Sequence, residues 1–106
     1  MDYLKITLEE LGALEGLPYI QQVMYLRGIR PYMDRKTAIV GIKRRISYQS
    51  LSEVLYVEPI PGVPNVGSPS RDQVRRSVKQ LIQKGLLEAQ STRRQLILKC
   101  LLVSQD

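Results

Sequence analysis

The chain has 106 residues, with 16 Lys plus Arg against 10 Asp plus Glu, one Cys, and no His, Trp or Phe. That length is one domain's worth, 43% hydrophobic and 25% charged residues is a globular composition, and a net charge of +6 points to a polyanionic partner. Without His there is no Ser-His-Asp triad, His-ligated metal or imidazole relay, and one Cys makes neither an internal disulfide nor a cysteine zinc cluster, so neither an enzyme nor a cofactor is expected.

In chain order, Thr7 followed by Glu10 reads as a capping box opening a short helix with Leu8, Leu11 and Leu14, ended by Gly16. Pro18 at a first-turn position announces a second helix, with Ile20, Val23, Met24 and Arg27 spaced for one face and a stop near Gly28 and Pro31. The run from Ala38 to Ile42 is β-branched and reads as a short strand, followed directly by Lys43-Arg44-Arg45. Ser47 is an N-cap for a helix of about two turns with Leu51, Val54 and Leu55 on its apolar face, and Ser50 offers no acid for a capping box. From Val57 to Pro69 the density of Pro and Gly forbids a helix or a paired central strand. Ile60, Val63 and Val66 recur at the polyproline II repeat, which predicts that one side of this loop is pinned to the body.

The clearest local signal lies between Ser68 and Gly85. Ser68-Pro69 and Ser70 with Gln73 offer two overlapping N-caps, Val74, Val78, Leu81 and Ile82 form one buried stripe, and Gly85 is placed to end the helix. Leu86 to Ala89 then starts a strand, Gln90 to Arg94 is a polar turn, and Gln95 to Val103 is a returning strand rich in Leu and Ile. Cys100 falls in phase with Leu96, Leu98 and Leu102 and is expected to be a buried small apolar side chain.

Taken together, ISYQSLSEVL, GSPSRDQVRRSVKQLIQKGLLE and STRRQLILK resemble the winged helix-turn-helix DNA-binding domains of bacterial regulators and of plasmid or phage replication proteins. The matched portion, residues 38 to 103, covers about two thirds of the chain. The resemblance implies an α+β fold: a three-helix core with an extra N-terminal helix, a short strand and a C-terminal β-hairpin wing. In such domains a Ser-rich cap opens the recognition helix, and an L-x-x-x-G-L-L exit, here Leu81 to Leu87, feeds the wing. The chain departs from the family at Val57 to Pro69, where a short turn is usual. Long Pro-containing insertions after a Tyr-Val-Glu-Pro run are similar to those of integrative elements and prophages, which implies a mobile-element origin. The function implied is sequence-specific binding of double-stranded DNA, in transcription regulation or in replication of such an element.

The candidate DNA contacts follow from helix geometry. With the apolar stripe inward, Asp72, Arg76, Lys79 and Gln83 face out and Arg75 lies on one flank. Arg reads guanine bidentately in the major groove, while Ser and helix-end N–H groups hold phosphate, so Ser70, Arg71, Arg75 and Arg76 lead, with Lys79 behind them. Thr92, Arg93 and Arg94 at the hairpin tip would reach the backbone or the minor groove. Lys43, Arg44 and Arg45 lie near where phosphates run, and because three adjacent charges cannot all point one way, two of them are expected to contact phosphate. A solvated basic face, with Asp72 paired to Arg76, is the bland alternative.

Other groups are given plainer roles. Tyr25, Tyr32, Tyr48 and Tyr56 are expected in the core or at its rim rather than stacking bases. Asp72, Glu53 and Glu58 form no metal-binding cluster suited to a nuclease. The charge is divided unevenly, with 3 basic and 5 acidic groups in residues 1–34 and 13 and 5 in residues 35–106. The whole chain is therefore expected to be one winged-helix domain, residues 35–106 forming the DNA-binding core and wing. Residues 1–34 are surplus helices whose Leu8, Leu11, Leu14 and Leu17 predict a homodimer built partly on residues 1 to 30. The runner-up is a winged-helix protein-interaction module in which the acidic N-terminal helix or the Pro loop makes the contact. No apolar run nears the ~18 residues of a membrane span, no signal peptide is evident, and a cytoplasmic protein is expected.

Overall fold

The computed structural model describes residues 3–64 and 66–104. The first helix, α1 (Leu8–Leu14), opens on the expected capping box: Glu10 N–H donates to Thr7 Oγ1 at 3.0 Å, and Thr7 N–H donates to Glu10 Oε1 at 2.9 Å. Leu14 is buried and Leu17 half-buried in the chain's own core, whereas Leu8 and Leu11 are exposed. The Thr7 hydroxyl also donates to the Leu102 carbonyl at 2.8 Å, tying the two ends of the chain together.

Helix α2 (Tyr19–Val23) opens a longer helical run that ends at Tyr32, close to the expected stop near Gly28 and Pro31. It runs into a π-helical turn, Met24–Ile29, and then a 3-10 turn, Arg30–Tyr32, that contains Pro31. A π turn inserts one residue and rotates everything after it. Of the expected face, Met24 is buried and Ile20 and Val23 pack half-buried against the core, whereas Arg27, inside the π turn, is exposed and Tyr25, Gly28, Ile29 and Arg30 are buried.

The first strand, β1 (Ile39–Val40), is shorter than the expected run from Ala38 to Ile42. Ala38 before it and Gly41 after it both have positive φ, +62° and +108°, which breaks the extended backbone at each end and leaves Ile42 exposed. Helix α3 (Tyr48–Val54) corrects another expectation. Ser50 completes a capping box without an acid, its hydroxyl oxygen accepting from Ser47 N–H at 2.9 Å while Ser50 N–H donates to Ser47 Oγ at 3.0 Å.

The Pro-rich segment is a closed excursion. Val57 and Gly67 exchange backbone hydrogen bonds of 3.0 and 2.7 Å at its base, and Val63 N–H donates to the Ile60 carbonyl across Pro61-Gly62 at 3.1 Å. The expectation that Ile60, Val63 and Val66 are pinned to the body fails, for all three are exposed. What fixes the loop is its base and its exit, where the Ser52 hydroxyl donates to the Pro69 carbonyl at 2.7 Å.

Helix α4 (Arg71–Gln83) starts on the Ser70 and Gln73 capping box and buries Val74, Ser77, Val78 and Leu81, with Ile82 half-buried. It ends in a Schellman motif. Gly85, at φ +84°, lets its own N–H reach the Ile82 carbonyl and Leu86 N–H reach the Leu81 carbonyl, each at 3.1 Å. The hairpin strands β2 (Leu87–Ala89) and β3 (Leu98–Cys100) complete an antiparallel sheet of order β1-β3-β2, in which Leu98 lies between Val40 and Ala89. The returning strand is thus three residues rather than the run from Gln95 to Val103, because backbone bends follow Cys100 and the tip takes up Gln90 to Ile97.

The described residues form an α+β domain of four α-helices and a three-stranded antiparallel sheet, with no helix long and apolar enough to cross a membrane. Among the described residues the buried polar side chains are Glu10, Gln21, Arg30, Ser52 and Ser77, and the two charged ones meet at one place. The Glu10 carboxylate, fully buried, accepts from Arg30 Nε at 2.6 Å, from the Tyr25 hydroxyl and from Thr7 N–H, and Arg30 Nη2 also donates to the Lys5 carbonyl.

Burial also sets a pH limit. Cys100 is held as a thiol up to about 12 by desolvation. Tyr25 is raised above the usual phenol range, first by desolvation and then by its hydrogen bond to Glu10. Both shifts are upward, so the stability they contribute is complete below the unfolded-state values near 9 and 10 and is lost as pH rises through the folded-state values. Urea midpoints measured between pH 7 and 11 should fall above pH 9, by about 1 kcal/mol per pH unit per group. Cys100→Ala should flatten the first part of that fall.

Candidate nucleic-acid interface

A groove of about 430 Å3 lies where the start of α3, the start of α4 and the hairpin tip meet. The tip is shaped by backbone bonds: Gln90 N–H donates to the Ile97 carbonyl at 2.9 Å and Thr92 N–H to the Gln95 carbonyl at 3.0 Å. Ser91 reinforces it, its hydroxyl oxygen accepting from Ile97 N–H at 3.0 Å. Gln95 is anchored across the sheet, its amide donating to the Gly41 carbonyl at 2.6 Å.

The expected contact residues divide into three groups. Arg45, Arg71, Thr92, Arg93 and Arg94 converge on the groove, from three separate stretches of chain. Arg75 sits one step along α4, its guanidinium 5.5 Å from the centroid of the Tyr48 ring, and Tyr48 itself lines the groove. Arg76 and Lys79 lie exposed farther along the helix, and among the described residues no ion pair joins Asp72 to Arg76. Ser70 is occupied as the N-cap, its hydroxyl oxygen accepting from Gln73 N–H at 3.1 Å.

The other two members of the basic triplet turn elsewhere. Lys43 Nζ is 3.3 Å from Asp34, whose carboxyl is held below its ordinary range chiefly by the Lys36 backbone N–H and also by Lys43. Arg44 lies over the Tyr32 ring at 4.7 Å and donates to the Pro31 carbonyl at 3.4 Å. One of three adjacent cations therefore enters the groove.

Tyr48 is half-buried against the core, as expected, and it also lines the groove, a position the sequence reading did not assign to it. Its place directly after the Ser47 cap, and hence at the exposed mouth of α3, is the signal that marks it. Ser47, Ser50, Ser91 and Gln95 line the groove too and add polar donors and acceptors among the guanidinium groups. Among the described residues no carboxylate lines the groove. Such a surface can hold a chain of phosphates at several points while leaving the outer face of α4 free to meet base edges. Among the described residues no group of three or more His, Cys, Asp or Glu is placed to hold a metal. Comparisons with protein-family models, curated proteins and solved structures find no match to this chain.

Proposed function

We propose that this chain is a winged helix-turn-helix domain that binds double-stranded DNA in a sequence-specific way and performs no catalysis. The observation that carries this reading is the convergence of Arg45, Arg71 and Arg94 on one groove beside the exposed face of α4 that no acid among the described residues lines. The packing of β2 on α4, which in turn packs on α3, supports it, because it sets the hairpin beside α4, as a wing would be. In this reading α4 lies in the major groove, Arg75 and Arg76 read bases, and Arg45, Arg71, Arg93 and Arg94 hold phosphates. Transcription regulation and replication of a mobile element both use such a module, and the cytoplasm is its proposed place. Leu8 and Leu11, exposed on α1, are the proposed dimer contact.

The test is binding of the wild type, Arg76→Ala and Arg94→Ala to a site selected from random duplex and to random duplex itself, across a salt series. Arg76→Ala should lose about 1 to 3 kcal/mol mainly on the selected site. Arg94→Ala should weaken both and reduce the salt slope by about one unit. Sedimentation of the free and DNA-bound chain checks the protomer count. Wild-type affinity and slope in both variants would replace this reading with a second one, protein interaction, which is favoured by the exposed Tyr56, Val57, Ile60, Val63 and Val66 of the Pro-rich excursion.

A further inference from the structure

A second cationic concavity is built from parts of the chain that the groove does not use. It encloses about 390 Å3 and is bounded by the segment entering α1, the 3-10 turn and its exit, Arg44 and Ser104. Two of its cations are held in the same unusual way. Arg35 lies 5.2 Å from the centroid of Tyr3 and donates through Nη2 to the Tyr3 carbonyl at 3.0 Å. Arg44 lies 4.7 Å from the centroid of Tyr32 and donates to Pro31.

A guanidinium stacked on a ring and tied by one N–H has lost most of its rotamer freedom but keeps the remaining donors of its planar fork. The cost of ordering a long side chain around an anion has been met before any ligand arrives. Behind the two arginines the wall is Arg30, whose own charge is balanced inside the domain by Glu10. Among the described residues no carboxylate lines the concavity, and Asp34, next to Arg35 in sequence, is engaged by Lys43 and by the Lys36 N–H. Leu4, Pro31 and Met33 add apolar wall. A bare inorganic anion would fill only part of this volume and would leave that wall unused.

We propose that this concavity binds a phosphate monoester, the phosphoryl oxygens between Arg35 and Arg44 and the organic body against Leu4, Pro31 and Met33. Two positioned guanidinium forks suit a tetrahedral dianion, to which each can donate two parallel hydrogen bonds. The site is separate from the groove, since adjacent residues Arg44 and Arg45 serve one each, and it stands whether or not the groove binds DNA.

The experiment is thermal unfolding and titration calorimetry of the full chain with phenyl phosphate, inorganic phosphate and phenol, in about 150 mM salt, where surface charges are largely screened. Phenyl phosphate should raise the Tm by about 5 °C near saturation and bind more tightly than inorganic phosphate, and phenol should do neither. Arg35→Ala and Arg44→Ala should each weaken phenyl phosphate at least tenfold, Arg44→Lys should fall between, and Arg94→Ala should bind as the wild type. All the substituted side chains are exposed, so folding should survive. No binding by the wild type, or equal loss in Arg94→Ala, would overturn the proposal, the latter by showing general attraction of anions to a basic protein. If phenyl phosphate fails to bind while Arg44→Ala weakens duplex DNA, the phosphate held here is a DNA backbone phosphate, and the small-molecule site is refuted.

Discussion

Replacing Arg30 with Ala should be among the most damaging single changes to this domain, lowering its stability by about 3 to 5 kcal/mol. The Glu10 carboxylate is fully buried, and Arg30 is its charged partner at 2.6 Å. Without the guanidinium, a desolvated anion would be left with the Tyr25 hydroxyl and Thr7 N–H as donors, and the Lys5 carbonyl would lose its own partner. For a domain of about this size each kcal/mol is worth roughly 4 to 8 °C, so thermal unfolding should begin at least about 12 °C lower. Glu10→Gln should show a comparable loss, because it strands the cation instead of the anion. The double variant should be less destabilised than the sum of the two singles, as expected when one interaction is being removed twice. Additive losses in a urea-unfolding cycle would show that the pair acts as two independent side chains.

Gly41→Ala should be almost as severe, for a reason that involves no charge. A Cβ built at Gly41 would lie 2.2 Å from the Leu96 carbonyl oxygen, and the backbone there has φ +108°, a region side-chain-bearing residues rarely enter. Relief requires β1 and the returning arm of the hairpin to move apart, which would pull on the Gln95 amide bond to the Gly41 carbonyl. The expected loss is about 3 to 5 kcal/mol, read from the urea midpoint. The damage should also reach the groove, because Gln95 lines it. Any soluble Gly41→Ala protein should therefore show altered chemical shifts at Arg93 and Arg94, whereas Arg30→Ala should leave that region much less changed.

How far the sequence discloses this structure depends on whether a local pattern has one physical cause. Helix α4 is legible because Ser70 with Gln73, the apolar stripe and Gly85 fix its start, face and end independently. Helix α3 is legible for the same reason, although a serine does the work expected of an acid in its cap. The π turn left no mark, since the inserted residue is a consequence of packing rather than of any residue type. Glu10 was hidden by its own success: the capping box accounted fully for one oxygen, so nothing signalled that the other meets Tyr25 and Arg30. In the Pro-rich excursion a three-residue spacing of Ile60, Val63 and Val66 suggested a packed side, but the spacing cannot say whether a surface exists for it to pack on.

The candidate site shows the same limit. The arginines of α4 and of the hairpin tip were identifiable from helix phase and turn position. The triplet Lys43-Arg44-Arg45 was identifiable only as a group, because its division among Asp34, Tyr32 and the groove depends on the bends following Gly41.

The Thr7 hydroxyl bond to the Leu102 carbonyl spans 95 positions in sequence, and that separation orders the events of folding. Glu10 and Arg30 are only 20 positions apart and can meet while the rest of the chain is still diffuse. The hairpin and α4 are likewise assembled from neighbours. Closing a longer loop adds little to the equilibrium cost, about 0.6 kcal/mol for each doubling of length, but contacts between distant residues slow the search for the native state. On a ribosome the Thr7 bond must wait until residue 102 has emerged, whereas the Lys5 carbonyl can already meet Arg30.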